Sequence, residues 1–470
     1  MNIVRFLSIL CTVLVTQNLW APPKKISSAE KPAEEQQSYP LCHFAPNIEQ
    51  HITELLEREQ DAIIGAQYRM GLPSITFALA AASGRPVRVE LAVDAKCPAQ
   101  DYARLNFLTQ AGIPIWVSRT DGSGRHRIKY ETMHHKFFIL ENNQGTPLVV
   151  TGSHNLTDNG NASWNNVVII NDPLVIDRFK QEFANLIRHS NPHNQPARAL
   201  NAPVQATPAG GAAAAQAVTP CFFSPGIHAH IEELVRREGK SIRSAQFEFT
   251  LYNLAQELAL KHLRGVRVET VIHQGFIRGE SPYFKQKHTN ALRLLAQVGA
   301  SVRCVNKQRN PSNAYEQMHH KFWLFGGKIL VTGSWNATGQ AEKNWENAVV
   351  ITDGPTIRKF IAEYVAIRKN SRELTEAELR TSGGGDSDFV KRMNQLPPHH
   401  NTSLEDCIED ELALCDEIVS EENCRDILEA ASSMGQCILS PMKIAVHPHD
   451  GIVRTYWLSA QPTPKETIEE

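Results

Sequence analysis

Along residues 40–190 the chain alternates short apolar runs with segments of helical period, and the order recurs after residue 220. Cys42-His43-Phe44 is an apolar start that turns at Ala45-Pro46, and Ile48, Ile52, Leu55 and Leu56 fall on one face of a predicted helix. Ile63–Tyr68 and Val87–Val93 read as strands with a helix around Leu79 between them. A further helix near Leu105–Leu108 leads through Gly112 into a strand at Ile113–Val117. Strands follow at Met133–Phe137, Pro147–Val150 and Asn166–Ile170, and a helix from about Pro173 to Ile187 closes the series.

The second series begins at Cys221-Phe222-Phe223-Ser224-Pro225, with Ile231, Leu234 and Val235 marking its first helix. Ala66-Gln67-Tyr68 matches Ala245-Gln246-Phe247 and Val87-Arg88-Val89 matches Val266-Arg267-Val268, both at an offset of 179. The offset drifts to 187 at Gly112/Gly299, 185 at His134/His319 and 181 at Asn155/Asn336, which small loop insertions explain. Strands alternating with helices predict an α/β fold with helices on both faces of a mixed sheet, present twice. The boundaries are residues 40–190 and 220–371, joined by a linker over 191–219 rich in Ala, Pro, Gly and Gln. Residues 372–470 open on a glycine hinge, Ser382–Asp386, and form an acidic extension of unassigned role.

Composition adds three points. With 470 residues, 42% of them hydrophobic, the chain can build sizeable cores. Residues 401–470 carry 15 acidic and 4 basic side chains, so the whole-chain charge of −2 leaves the first 400 residues at +9, mildly suited to a phosphate-bearing substrate. Arg5, the apolar run Phe6–Val15 and the segment Asn18–Ala21 read as a signal peptide over residues 1–21, so a secreted or periplasmic protein is expected. Export would permit two disulfides among Cys407, Cys415, Cys424 and Cys437, in any of three pairings. His447-Pro448-His449-Asp450 is an isolated pair better read as exposed than as a metal site.

The candidate chemistry lies in Met133-His134-His135-Lys136-Phe137 and its near-copy Met318-His319-His320-Lys321-Phe322. Each is followed by a Gly-Ser-x-Asn: Gly152-Ser153-His154-Asn155 and Gly333-Ser334-Trp335-Asn336. Each then reaches a Trp-x-Asn, Trp164-Asn165-Asn166 and Trp345-Glu346-Asn347. Residues two apart on a strand share a face, so His134 pairs with Lys136 and His319 with Lys321, while His135 and His320 point away. One such pair is as readily a satisfied core histidine with a snorkelling lysine. Two, each followed by Gly-Ser-x-Asn, favour a site assembled from two halves.

His-x-Lys, a strand, then Gly-Ser-x-Asn resembles the signature of the phospholipase D superfamily. The Trp345–Val350 continuation is similar to its compact branch of bacterial endonuclease and mitochondrial cardiolipin hydrolase. The resemblance implies two tandem α/β/α sandwich domains related by a pseudo-two-fold axis, with both half-sites in one chain and a monomer sufficing. It implies that His134 and His319 divide the roles of nucleophile and acid/base through a phosphohistidine. Lys136, Lys321, Asn155 and Asn336 would hold the phosphate oxygens, with Ser153, Ser334, Asn166 and Asn347 as further substrate contacts. It implies no metal and no cofactor. A carboxylate orienting a histidine falls on Glu346 in the second copy and on Asn165 in the first. Pairing within each copy would then make His319 the better supported nucleophile, with Glu141 a substitute for Asn165. A phospholipid or membrane-surface diester of the phosphatidylcholine or cardiolipin class is the first substrate expected. A nucleic-acid strand is the second, and a non-catalytic phosphate- or lipid-binding scaffold the third.

Overall fold

The structure, a computed structural model, describes residues 39–97, 99–118, 132–193, 221–278, 282–306, 316–380, 443–446 and 453–456. The described elements lie in one compact unit, Pro40–Glu470; of the other unit, Met1–Tyr39, only Tyr39 is described. The expected signal peptide, residues 194–219 of the linker, the Ser382–Asp386 hinge, the four tail cysteines and His447–Asp450 lie outside the described residues.

The first copy contributes strands β1 (Leu41–Phe44), β2 (Ala62–Gln67), β3 (Arg88–Val93), β4 (Ile115–Ser118), β5 (Lys136–Asn143), β6 (Thr146–Gly152), β7 (Asn166–Ile170) and β8 (Ser190–Pro192). Its helices are α1 (Ile48–Arg58), α2 (Pro73–Ser83), α3 (Ala99–Gln110), α4 (Asp158–Ala162) and α5 (Pro173–Arg188). The second copy contributes β9 (Cys221–Phe223), β10 (Ser241–Gln246), β11 (Arg267–His273), β12 (Ser301–Val305), β13 (Lys321–Phe325), β14 (Ile329–Gly333), β15 (Asn347–Ile351) and β16 (Ser371–Glu373). Its helices are α6 (Ile227–Arg237), α7 (Tyr252–Leu263), α8 (Gly275–Arg278), α9 (Pro282–Gln297), α10 (Gly354–Lys369) and α11 (Glu376–Leu379). A short hairpin, β17 (Lys443–Val446) with β18 (Val453–Tyr456), follows in the extension.

The two eight-stranded sheets have the same order, β1-β7-β6-β5-β2-β3-β4-β8 and β9-β15-β14-β13-β10-β11-β12-β16. In each, a parallel trio (β2, β3, β4; β10, β11, β12) meets an antiparallel meander (β5, β6, β7; β13, β14, β15) through β2–β5 or β10–β13. The strand that follows each His-His-Lys segment is therefore central, which explains why β13 is buried along its whole length. The edge strands β8 and β16 had no signal in the sequence, because three residues are too few to show a period.

Alternation assigns the two faces. Trp323 and Phe325 pack with the buried stripe of α6 (Ile227, Ile231, Val235) and with α7 and α9, whereas Phe322 and Leu324 face α10. The α10 side belongs to a core that both copies share. Phe137, Phe179 and Phe183 of the first copy lie in one cluster with Met318, Phe322, Trp345 and Phe360 of the second. Across the copies, Phe44 meets Phe360 edge-on with centroids 5.0 Å apart, and Phe179 meets Phe223 at 5.1 Å. The two repeats are thus built back to back on α5 and α10. Those helices are started alike, each by an aspartate, Asp172 or Asp353, accepting first-turn amides ahead of a proline.

Candidate active site

Each histidine segment is held by the opposite copy. His134 N donates to Trp345 O at 3.0 Å and Trp345 N to Thr132 O at 2.9 Å. In the symmetry-related place, His319 N donates to Trp164 O at 2.9 Å and Trp164 N to Gln317 O at 2.8 Å. The Trp-x-Asn segments therefore deliver their side chains to the other half. His134 Nδ1 lies 2.8 Å from Glu346 Oε1, and His319 Nδ1 lies 2.9 Å from Asn165 Oδ1. This corrects the pairing expected within each copy: the carboxylate stands behind His134, and the amide behind His319. Glu141 backs neither, since it pairs with Lys180 at 2.8 Å and Arg88 at 3.8 Å.

The backing groups are themselves fixed. Ser334 Oγ donates to Glu346 Oε2 at 2.6 Å and Asn344 Nδ2 to Glu346 Oε1 at 3.2 Å. Ser153 Oγ donates to Asn165 Oδ1, and Asn165 Nδ2 to Gly160 O, both at 2.9 Å. With its Nδ2 committed, Asn165 presents its oxygen, so the neutral His319 carries its proton on Nδ1 and a lone pair on Nε2. Both serines are fully buried and also accept an amide, from Asn166 N and Asn347 N at 3.0 Å. They had been expected to touch substrate; they instead anchor the residues behind the histidines.

Asn166 and Asn347 need the same correction. Asn166 Oδ1 accepts from Thr332 Oγ1 at 2.9 Å, and its Nδ2 donates to His320 Nδ1 at 2.9 Å. Asn347 Oδ1 accepts from Thr151 Oγ1 at 2.8 Å, and its Nδ2 donates to His135 Nδ1 at 3.1 Å. The remaining ring nitrogens, His135 Nε2 and His320 Nε2, each sit 3.0 Å from a carboxylate, Glu182 and Glu363. The strands begin only at Lys136 and Lys321, so the expected strand over Met133–Phe137 starts later than its motif. His135 and His320 stand one residue before β5 and β13, turned to these partners and away from the site, and the two crossed chains tie the halves together. Gly152 and Gly333 are glycines because a Cβ there would lie 2.2 Å from Asn166 O and Asn347 O.

Lys136 and Lys321 are almost fully buried, and each donates to the carbonyl two residues back, at 2.7 Å to His134 O and 2.9 Å to His319 O. Lys321 Nζ also lies 3.2 Å from His319 Nε2. Each ammonium stands over an aromatic ring, Tyr68 at 5.2 Å and Phe247 at 5.0 Å from the centroid. Asn155 and Asn336 border the same space with their Oδ1 atoms unbonded among the described residues. A cavity of about 620 Å³ brings His134, His319, Asn155 and Asn336 together, with Tyr68, Arg69, Arg104, Phe247 and Glu248 around them. Those last five sequence reasoning missed, although comparison of the copies at their offset of 179 would have shown Arg69 standing where Glu248 stands.

The electrostatics suit an anion. Burial pulls Lys136 down to about 7 against the support of Glu346 and Asp94. Lys321 is pushed well below its usual value by burial and then by Lys136. Burial lowers His134 to about 4 with Glu346 opposing, and takes His319 well below its usual value, with Lys321 and Lys136 adding to the fall. Glu346 is held below the usual carboxylate range despite its burial, because His134 and Lys136 stabilise its charge. Two desolvated lysines beside the shared carboxylate of Glu346 leave this space short of negative charge. Among the described residues no group of His, Cys, Asp and Glu is arranged to hold a metal ion.

Residues 52–187 and 231–367 each match the family model described as cardiolipin synthase, PLD-like domain. A mitochondrial cardiolipin hydrolase of Xenopus tropicalis is 30% identical over 132 residues, 28% of this chain; the match spans 56% of that protein's length. A phospholipase D of Rickettsia typhi is 27% identical over 177 residues, covering 37% of this chain and 79% of that one. Phosphatidylserine synthase of Haemophilus influenzae superposes with a TM-score of 0.56 over 75% of this chain and 92% of that chain, at 12% identity, a likeness of fold. With both repeats matched, the chain belongs to the phospholipase D superfamily and carries two copies of its domain in tandem.

Proposed function

We propose that this protein is a phosphodiesterase of the phospholipase D type that hydrolyses phospholipid diesters through a phosphohistidine on His134. The observation that carries the reading is the convergence of a histidine and an asparagine from each copy on one cavity, with Lys136 and Lys321 buried against the two histidines. Relatives bearing the names cardiolipin hydrolase and phospholipase D support a lipid diester as substrate.

His134 donates Nδ1–H to Glu346 and turns the Nε2 lone pair to the cavity, which suits it to attack phosphorus. Lys136, Lys321, Asn155 and Asn336 donate to the non-bridging oxygens as charge builds there. The bound diester offsets the repulsion between His319 and the two lysines, so His319 takes up a proton on Nε2. As the P–O bond to the alcohol breaks, His319 gives that proton to the leaving oxygen. The neutral His319 then removes a proton from water, whose oxygen attacks phosphorus; the P–N bond breaks and His134 is restored. Export as a monomer belongs to the same proposal and rests on the pattern of residues 1–21 and on both half-sites lying in one chain.

The test is incubation of purified protein with phosphatidylcholine, cardiolipin and single-stranded DNA in the presence of EDTA. Release of phosphatidic acid is expected, falling on the order of a thousandfold or more in His134→Ala and in His319→Ala. Cleavage of DNA without lipid turnover would replace the lipid reading with the endonuclease one. Binding without turnover of any of the three would favour a scaffold.

A further inference from the structure

The two copies differ in charge at one matched place on the cavity wall. Tyr68 N donates to His135 O at 2.9 Å and Phe247 N to His320 O at 2.8 Å, and Met70 bridges Leu156 as Phe249 bridges Ala337. Between these matched contacts stand Arg69 in the first copy and Glu248 in the second, and both line the cavity. Arg69 is paired with the buried Asp101 at 2.8 Å. Arg104 lines the cavity on the same side, whereas Ala291 occupies its place in the second copy by the register of Gly112 with Gly299. For Glu248 the described residues supply no hydrogen bond and no ion pair. Burial raises its pKa, with Lys321 opposing and Glu346 adding. Its neighbour Phe247 lies 4.6 Å from His319, centroid to centroid. The second copy's wall is thus aromatic and acidic where the first copy's is aromatic and basic.

We propose that Phe247 and Glu248 form the subsite of the leaving alcohol, and that they select a diester whose leaving alcohol carries a cation, an amino or quaternary ammonium alcohol. This rests on the lipid reading above and on attack by His134. In-line displacement places the leaving oxygen opposite His134, towards His319, and so against Phe247 and Glu248. The Glu248 carboxylate attracts an ammonium group by charge, and the Phe247 ring, over which Lys321 already stands at 5.0 Å, adds an apolar wall for the carbons around that group. A cardiolipin or a nucleic-acid strand would bring a second phosphate to the same wall and meet repulsion. Arg69 and Arg104 stand on the retained side, away from the leaving group. A plainer role for Glu248 is as counter-charge to Lys321, much as Asp94 supports Lys136. That role would touch every substrate alike.

The experiment measures kcat/KM in mixed micelles of fixed composition. It uses three lipids of matched acyl chains: phosphatidylcholine with a cationic leaving alcohol, phosphatidylglycerol with a neutral one, and cardiolipin with an anionic one. The natural sequence should prefer phosphatidylcholine to phosphatidylglycerol by about tenfold or more. Glu248→Gln should bring that ratio close to one, chiefly through KM, and Glu248→Arg should turn the preference towards cardiolipin. The same ratio in all three proteins would overturn the subsite and leave the lipid reading intact, with Glu248 acting as a counter-charge. Turnover of single-stranded DNA with none of the three lipids would overturn the reading on which the subsite rests.

Discussion

His134 Nδ1 lies 2.8 Å from Glu346 Oε1, although 212 positions of sequence separate the two residues. The carboxylate raises the proton affinity of both His134 and Lys136, against the burial that lowers each. Glu346→Gln should therefore lower kcat/KM on the order of a hundred- to ten-thousandfold. It should also move the alkaline limb of the pH profile downwards. The sign follows from Lys136, which loses its charge as pH rises through about 7 and would lose it earlier without the carboxylate. A variant with reduced activity and an unmoved limb would show that Glu346 acts on geometry alone.

Asn166 bonds Thr332 and His320 of the other copy rather than the cavity. Replacing it with alanine leaves a buried imidazole nitrogen and a buried hydroxyl without their partner, a cost of about 1–3 kcal/mol. Denaturant unfolding should show that loss, with KM little changed. A raised KM at full stability would make Asn166 a substrate contact after all.

The glycine of each Gly-Ser-x-Asn is fixed by the approach of the next strand. A Cβ at residue 152 would stand 2.2 Å from a backbone carbonyl, which has no rotamer with which to move aside. Gly152→Ala should cost about 3 kcal/mol through the shift forced on β6 and β7. An unchanged unfolding midpoint would contradict that packing.

The depressed histidines predict a loss of stability in acid. His134 and His154 are lowered to about 4 by burial, and burial also holds His319 well below its usual value. Between about 6.5 and 4 the unfolded chain binds protons that these rings refuse, so stability falls as pH falls through that window. Thermal unfolding at pH 7 and pH 5 checks the direction. A melting temperature that rises on acidification would be the opposite of what these rings dictate.

The order of elements was legible because the copies repeat it, because Ile48, Ile52 and Leu56 on α1 show their period plainly, and because the unbroken apolar run Phe322–Phe325 marks β13 as a strand covered on both faces. The histidines and lysines were legible for the same reason. What could not be read was the crossing of the halves. Glu346 lies close in sequence to His319, yet bridges between Met133 and Trp345 and between Trp164 and Met318 carry it to His134. Pairing of this kind is set by docking of two sheets, and no period in either copy records it. Ser153, Ser334, Asn166 and Asn347 were misjudged for a related reason: polar residues near a catalytic motif look like ligands until their buried partners are seen. Arg69, Arg104 and Glu248 sit outside the motifs; alignment of the copies shows only that they differ, and their place on the cavity wall is what marks them.

The nucleophile is best located by trapping the covalent intermediate. Protein mixed rapidly with phosphorus-labelled phosphatidylcholine and quenched in alkali, which spares phosphohistidine, should carry its label on the peptide containing His134. In His319→Ala, which lacks the acid and base, any label should still map to that peptide. Label on the peptide containing His319, or turnover that persists in His134→Ala with label at His319, would contradict the assignment of His134.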